Sequence, residues 1–134
     1  MTSFTKEQIE SALRTKSAHL GPDDVRRIAD NKSTVMKMIQ DFPPNWAKAQ
    51  RQSMMLFELI EACATGRMHV HPDELKAAAG ALIYLGAPLD IIPDDEADGY
   101  SDDAAVVGLA IAQTEKHVRA FCEAHGRNAA EYLD

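Results

Sequence analysis

Residues 77–115 read AAAGALIYLGAPLDIIPDDEADGYSDDAAVVGLAIAQTE, and the C-terminal half of the fold follows from them. Two apolar, alanine-rich runs enclose a short acidic loop, and no Lys or Arg occurs between Lys76 and Lys116. Gly86 is a typical end for the first run, and Ser101 is a typical helix cap before the second. The stretch therefore predicts a helical hairpin, and its small residues predict two closely packed helices.

The acidic loop carries the charge of the whole chain. Residues 77–115 hold eight of the 21 acidic residues and none of the 14 basic ones, so they account for the entire net charge of −7. Seven of these acids lie between Asp90 and Asp103. Carboxylates crowded in this way repel one another unless water, a helix N-terminus or a cation compensates them. The loop is therefore the leading candidate for a functional site.

The first third of the sequence also reads as helical. Thr5 and Gln8 match a capping box, and apolar residues follow at helical spacing. Pro22 is suited to the first turn of a second helix. A polar break at residues 31–34 is compatible with one long helix or with two short ones, and Pro43 predicts a stop.

The remaining sequence continues this pattern. An apolar stripe runs from Trp46 to Ala64, a linker follows, and Pro72 predicts another helix start. A last long helix is expected from Ser101 to Gly126, and no run alternates with the period of two that is typical of strands. We therefore predict an all-α bundle of about five or six helices, formed by residues 1–134 as a single domain.

Composition narrows the functional classes. The acidic balance argues against nucleic-acid binding, which requires clustered Lys and Arg. No apolar run reaches the length of a membrane span, and the first ten residues, MTSFTKEQIE, lack the apolar core of a signal peptide. Cys63 and Cys122 are isolated in sequence and are expected to be reduced, buried thiols. These features are typical of a bacterial cytoplasmic protein.

Residues 81–94, ALIYLGAPLDIIPD, and residues 99–103, GYSDD, form a compound pattern. A helix end containing Tyr leads into Pro-x-Asp-x-Ile-Pro-Asp, then a spacer, then Gly-Tyr-x-Asp-Asp and an apolar helix. This pattern resembles the YkvA-like bacterial domain of unknown function, over residues 77–113. The resemblance implies the helical hairpin but no established activity, and many members of that family have membrane-associated helices.

The sequence departs from the family pattern in two places. The spacer is usually apolar, whereas here it is acidic at residues 95–98. The final helix is amphipathic, with charges at Glu115, Lys116 and Arg119. A peripheral membrane module usually presents a basic amphipathic face, which the net charge of −7 opposes. Peripheral membrane contact is therefore an expectation from family analogy alone.

Two interpretations of the matched acids, Asp90, Asp94, Asp102 and Asp103, stay open. If the loop brings them together, they form a site of hard oxygen ligands that suits Mg²⁺, Mn²⁺ or Ca²⁺. If each carboxylate instead binds nearby backbone N–H groups, Asp90 and Asp94 stabilise the turn and Asp102 and Asp103 stabilise a helix N-terminus. The second, structural interpretation is favoured.

Other metal motifs are incomplete. Residues 94–99 match the start of an EF-hand calcium loop, but position twelve, which requires a bidentate Glu, is Ala105. The pair His69 and His71 lies in a linker, and no C-x₂-C spacing accompanies Cys122 and His125 to predict zinc. No nucleophile motif or phosphate-binding loop is present in the sequence.

Two functional hypotheses follow from these patterns. The leading one is a non-enzymatic adaptor or regulatory module that binds a protein partner or forms a homodimer through its apolar helices. The alternative is a divalent-metal-binding enzyme or sensor that uses the acidic loop at residues 90–103.

Overall fold

A computed structural model of the protein describes residues 5–86 and 101–133. These residues form eight α-helices and two short 3₁₀ helices, and no strand occurs among them. The all-α prediction is confirmed, and the helix count lies slightly above the predicted range. The α-helices are α1 (Lys6–Ala18), α2 (Pro22–Asp30), α3 (Lys32–Gln40), α4 (Ala47–Ala64), α5 (Lys76–Leu85), α6 (Ser101–Gln113), α7 (Glu115–His125) and α8 (Ala130–Leu133). The 3₁₀ helices span Pro44–Trp46 and Pro72–Leu75.

The predicted capping box begins α1. The backbone N–H of Gln8 donates to the Thr5 hydroxyl at 3.1 Å, and the backbone N–H of Thr5 donates to the Gln8 side chain at 2.7 Å. Two helix-terminal N–H groups are thus satisfied reciprocally, which fixes where the helix starts.

The polar break after α2 separates two helices. The side-chain amide of Asn31 donates to the carbonyl of Arg27 at 2.7 Å, and the Asn31 backbone N–H donates to the same carbonyl at 3.1 Å. A side chain that competes for helix carbonyls ends a helix locally. Of the two alternatives for residues 31–34, the structure adopts the two short helices.

Helix α4 lies at the centre of the bundle. It contacts α2, α3, α5, α6, α7 and α8, and both its apolar stripe and much of its remaining surface are buried. Leu56, Phe57 and Ile60 are almost completely inaccessible to solvent. Full burial of one such side chain stabilises the fold by roughly 1.5 to 3 kcal/mol. The buried side chains of α4 therefore contribute substantially to the free energy of unfolding.

Helices α5 and α6 form the predicted hairpin and pack between α1 and α4. The closest approach involving a glycine, however, is to α1. A Cβ placed on Gly80 would lie 3.2 Å from the backbone nitrogen and 3.3 Å from the Cα of Ser17, and would overlap the Ser17 hydroxyl. Gly108 of α6 faces open space. The small residues therefore serve the crossing of α1 and α5 as well as the hairpin itself.

The predicted last long helix is two helices, because α6 and α7 are separated at Thr114. The hydroxyl of this buried residue donates to the carbonyl of Ala110 at 2.8 Å. Such back-bonding to the residue four positions earlier bends helices. Both flanking helices keep an apolar face in the core, so the bend lets the chain follow the bundle surface.

The C-terminal segment is fastened to α4. Gly126 adopts a left-handed conformation with φ of 65°, which ends α7 at the predicted position. Arg127 then donates to Glu58 at 2.8 Å and to the hydroxyl of Tyr132. The side chain of Gln52 donates to the carbonyl of Tyr132 at 2.7 Å.

Among the helices that the structure describes, none is both long and apolar enough to cross a membrane.

Candidate functional site

The two described acids of the predicted site lie at the start of α6. Asp102 has no solvent exposure and Asp103 has 3%. The hydroxyl of Tyr84, at the end of α5, donates to Oδ2 of Asp102 at 2.8 Å. Hydrogen bonds to an ionised carboxylate are shorter and stronger than those between neutral groups. This bond therefore connects the two helices of the hairpin across the loop that joins them.

The position of Asp102 and Asp103 in the first turn of α6 fits the structural interpretation. The N-terminal turn of a helix carries partial positive charge and attracts carboxylates. Burying a carboxylate without compensation is costly, and here Tyr84 and the helix terminus offset part of that cost. Asp90 and Asp94 lie outside the described residues, as does the rest of the acidic loop from residue 87 to residue 100.

The other motifs considered for metal binding have structural roles or stay apart. No group of three or more His, Cys, Asp or Glu side chains within residues 5–86 and 101–133 is arranged to hold a metal ion. Nδ1 of His71 accepts the backbone N–H of Asp73 at 3.1 Å and so caps the 3₁₀ helix. Nε2 of His117 lies 3.6 Å from Glu74. These two residues form a pair and do not belong to a larger cluster of described metal-ligand side chains.

Both cysteines are free thiols, but the predicted burial is confirmed only for Cys122. Cys122 is buried, whereas Cys63 is partly exposed and its thiol donates to the carbonyl of Val70 at 3.3 Å. Burial raises the pKa of both thiols above the ordinary value. A raised pKa keeps a thiol protonated and unreactive, so neither cysteine has the environment of a nucleophile.

A feature that the sequence did not predict is an open groove beside α1, which we call the mixed-charge groove. It has a volume of about 740 Å³ and lies between α1, the second 3₁₀ helix, α5 and α6. Its apolar floor is formed by Leu13, Ala77 and Leu109. Its basic side chains are Lys6, Arg14 and Lys76, and its acidic ones are Glu10, Asp73 and Glu74. The groove draws on residues from four elements, so no local sequence pattern marks it.

Ion pairs within the mixed-charge groove are long and exposed. Lys6 lies 4.0 Å from Glu10, and Lys76 lies 3.5 Å from Asp73. Exposed pairs of this kind contribute roughly 0 to 1 kcal/mol. Their charges can therefore be exchanged for those of a bound partner at small cost.

Comparison of the chain with protein-family models, with curated proteins and with solved structures finds no match. The resemblance of residues 77–113 to the YkvA-like domain stays a prediction.

Proposed function

We propose that this protein is a helical adaptor or regulatory module that binds a segment of a partner protein in the mixed-charge groove. The observation that carries the proposal is the groove itself, with charges of both signs above an apolar floor. A protein segment offers acidic, basic and apolar side chains together, which matches this combination of lining residues. The expected bacterial cytoplasmic location belongs to the same proposal.

The arrangement of charges supports a partner with complementary residues of both signs. Arg14 lies in the groove, is exposed, and forms no ion pair with any other residue that the structure describes. Electrostatic complementarity at the rim of an interface contributes mainly to specificity and to the association rate. We therefore expect an acidic residue of the partner opposite Arg14 and apolar residues over Leu13 and Leu109.

Charge reversal tests this proposal. Wild-type protein and the double variant Lys6→Glu/Arg14→Glu are immobilised at equal density and exposed to lysate of the cells that naturally produce the protein. The matched control is Lys37→Glu/Arg51→Glu, which reverses two exposed charges outside the groove. We expect one protein to be retained by the wild type and the control but lost by the groove variant. The decisive step is rescue, in which an acidic residue of the captured protein is changed to Lys.

Loss of binding in the groove variant and its recovery with the charge-swapped partner support the proposal. Equal retention by all three baits contradicts it, and so does a wild type that retains nothing beyond a blank surface. A second copy of this chain as the captured species would reassign the groove to a homodimer.

We also propose a second function for the acidic loop, as a divalent-metal site formed by Asp90, Asp94, Asp102 and Asp103. Two of the four acids, Asp102 and Asp103, lie together in the first turn of α6, and carboxylate oxygens are the ligands that these cations prefer. Thermal melts with Mg²⁺, Mn²⁺ or Ca²⁺ at constant ionic strength test this site. When the free metal concentration is a hundred times the dissociation constant, binding stabilises the fold by about 2.7 kcal/mol.

Asp94→Asn provides the control for the metal melts. If the four acids form a site, this variant loses the gain from metal and is slightly more stable than wild type without metal. If Asp94 is only a cap, the variant is less stable by about 0.5 to 2 kcal/mol in every buffer. Equal melting temperatures for wild type with and without divalent ions contradict the metal site.

A further inference from the structure

A second cavity shares Glu74 with the mixed-charge groove, and we call it the histidine cleft. It has a volume of about 320 Å³ and lies between linker residues 67–70 and α7. This volume is at the lower end of the range for small-molecule pockets, roughly 300 to 1,000 Å³. The cleft is therefore large enough for a compact ligand and too small for a folded segment.

The interior of the histidine cleft is apolar. Its most deeply buried side chain is Phe121, which is 6% exposed. The ring of Phe121 is held in place by His125, whose ring stacks on it with centroids 4.2 Å apart. Val70, Ala120 and Ala124 add further apolar surface. A preformed, rigid apolar surface favours a flat or branched hydrocarbon body over a fully polar ligand.

The rim of the histidine cleft carries one cation, Lys116, that is not paired within the part of the chain that the structure describes. Arg67 lies 3.5 Å from Glu61, so its charge is already paired, and Glu74 is the one acid that lines the described part of the cleft. Lys116 forms no ion pair with another described residue. Glu74 lies 3.6 Å from His117, so its charge faces an imidazole. Lys116 is thus the position at which the cleft favours an anion.

The imidazoles supply the remaining polar contacts. His69, His117 and His125 line the cleft, and a neutral imidazole can donate or accept one hydrogen bond at each nitrogen. Nδ1 of His125 donates to the carbonyl of Phe121 at 2.9 Å, so Nε2 of the neutral ring is an acceptor and does not donate to an anion. A carboxylate, with two acceptor oxygens, matches the ammonium group of Lys116.

We infer that the histidine cleft is a binding site for a small carboxylate with an apolar body. The hydrocarbon part contacts Phe121 and Ala124, and the carboxylate lies near Lys116. This inference is independent of the proposed partner groove, because Glu74 is the one residue within 5–86 and 101–133 that lines both cavities.

The test is a titration of ¹⁵N-labelled protein with 2-naphthoate, followed by NMR, with 2-naphthamide as the neutral ligand of the same shape. We expect saturable shifts at residues 67–70 and in α7, and tighter binding of the naphthoate. Lys116→Gln should weaken naphthoate binding by about three- to tenfold, with no effect on the amide. Lys37→Gln, at an exposed lysine outside the cleft, should leave both affinities unchanged.

A second variant tests the cavity separately from the charge. Ala124→Leu places a larger side chain at an exposed position of the cleft, so the protein should fold normally but lose naphthoate binding. The control, Ala112→Leu, adds the same volume at an exposed position of α6. Equal affinity for naphthoate and naphthamide would overturn the inference. It would also be overturned if no saturable shifts occurred at residues 67–70, or if Ala124→Leu bound like wild type.

Discussion

The Tyr84 hydroxyl donates a hydrogen bond of 2.8 Å to Oδ2 of Asp102, and both side chains are buried. The two residues are 18 positions apart and lie at facing ends of α5 and α6. The bond therefore fixes the two ends of the acidic loop relative to each other, whatever the loop binds.

Tyr84→Phe should destabilise the protein by about 1 to 3 kcal/mol, because a buried carboxylate loses a donor. Urea unfolding measures the change. The direct control is a double-mutant cycle with Asp102→Ala, in which the two changes should be less than additive by about 0.5 kcal/mol or more. Strictly additive effects would show that the bond contributes no coupling.

Gly80→Ala and Gly108→Ala should have opposite effects, although both are glycines within helices. At Gly80 the added methyl group meets Ser17, so we expect a loss of about 1 to 3 kcal/mol. At Gly108 no atom of the described residues lies within 4 Å of the added methyl group, so helix propensity should stabilise the protein by about 0.5 to 1 kcal/mol. Denaturant melts of the two variants check this, and a shift of the same sign in both is the contrary result.

Arg127→Gln should cost about 1 to 3 kcal/mol, because it removes the hydrogen bonds to Glu58 and Tyr132. Arg119→Gln is the matched control, since Arg119 forms an exposed pair with Glu115 at 2.9 Å, which should contribute less than about 1 kcal/mol. Thermal unfolding of both variants measures the difference. Similar melting temperatures for the two variants would mean that the hydrogen bonds of Arg127 do not stabilise the packing of the C-terminal segment against α4.

Native Cys63 and Cys122 should react slowly with a thiol reagent at pH 7.5. Burial raises the pKa of each thiol, which lowers the fraction of reactive thiolate near neutral pH. Labelling in urea should be at least roughly tenfold faster, because unfolding removes the burial. Rapid labelling of both cysteines in the native protein would contradict the described environment.

Much of the fold could be predicted because its signals are local. The cap at Thr5 and the left-handed Gly126 act on neighbouring backbone groups, so their effects are visible in a short window of sequence. The break at Thr114 was missed because threonine tolerates a helix interior and bends it only when its hydroxyl bonds backward. The close contact of Gly80 with Ser17 of α1 was not predicted, because a sequence does not show which helix crosses a given residue.

The candidate sites were less predictable for the same reason. Asp102 was singled out by its acidic context, but its bond to Tyr84 depends on how two helices meet. The mixed-charge groove and the histidine cleft combine side chains from separate elements, for example Arg14 with Asp73, and Arg67 with Lys116. Such sites form only when the helices pack together, so no regular spacing of residues in the sequence indicates them.

Site-specific photo-crosslinking in living cells tests the central claim, that the mixed-charge groove binds a partner protein, most directly. A photoreactive amino acid replaces Arg14 in the groove or, as control, Lys37 on α3. We predict one defined crosslinked product of higher mass from position 14 and none from position 37. The same products from both positions, or none from either, would contradict the claim.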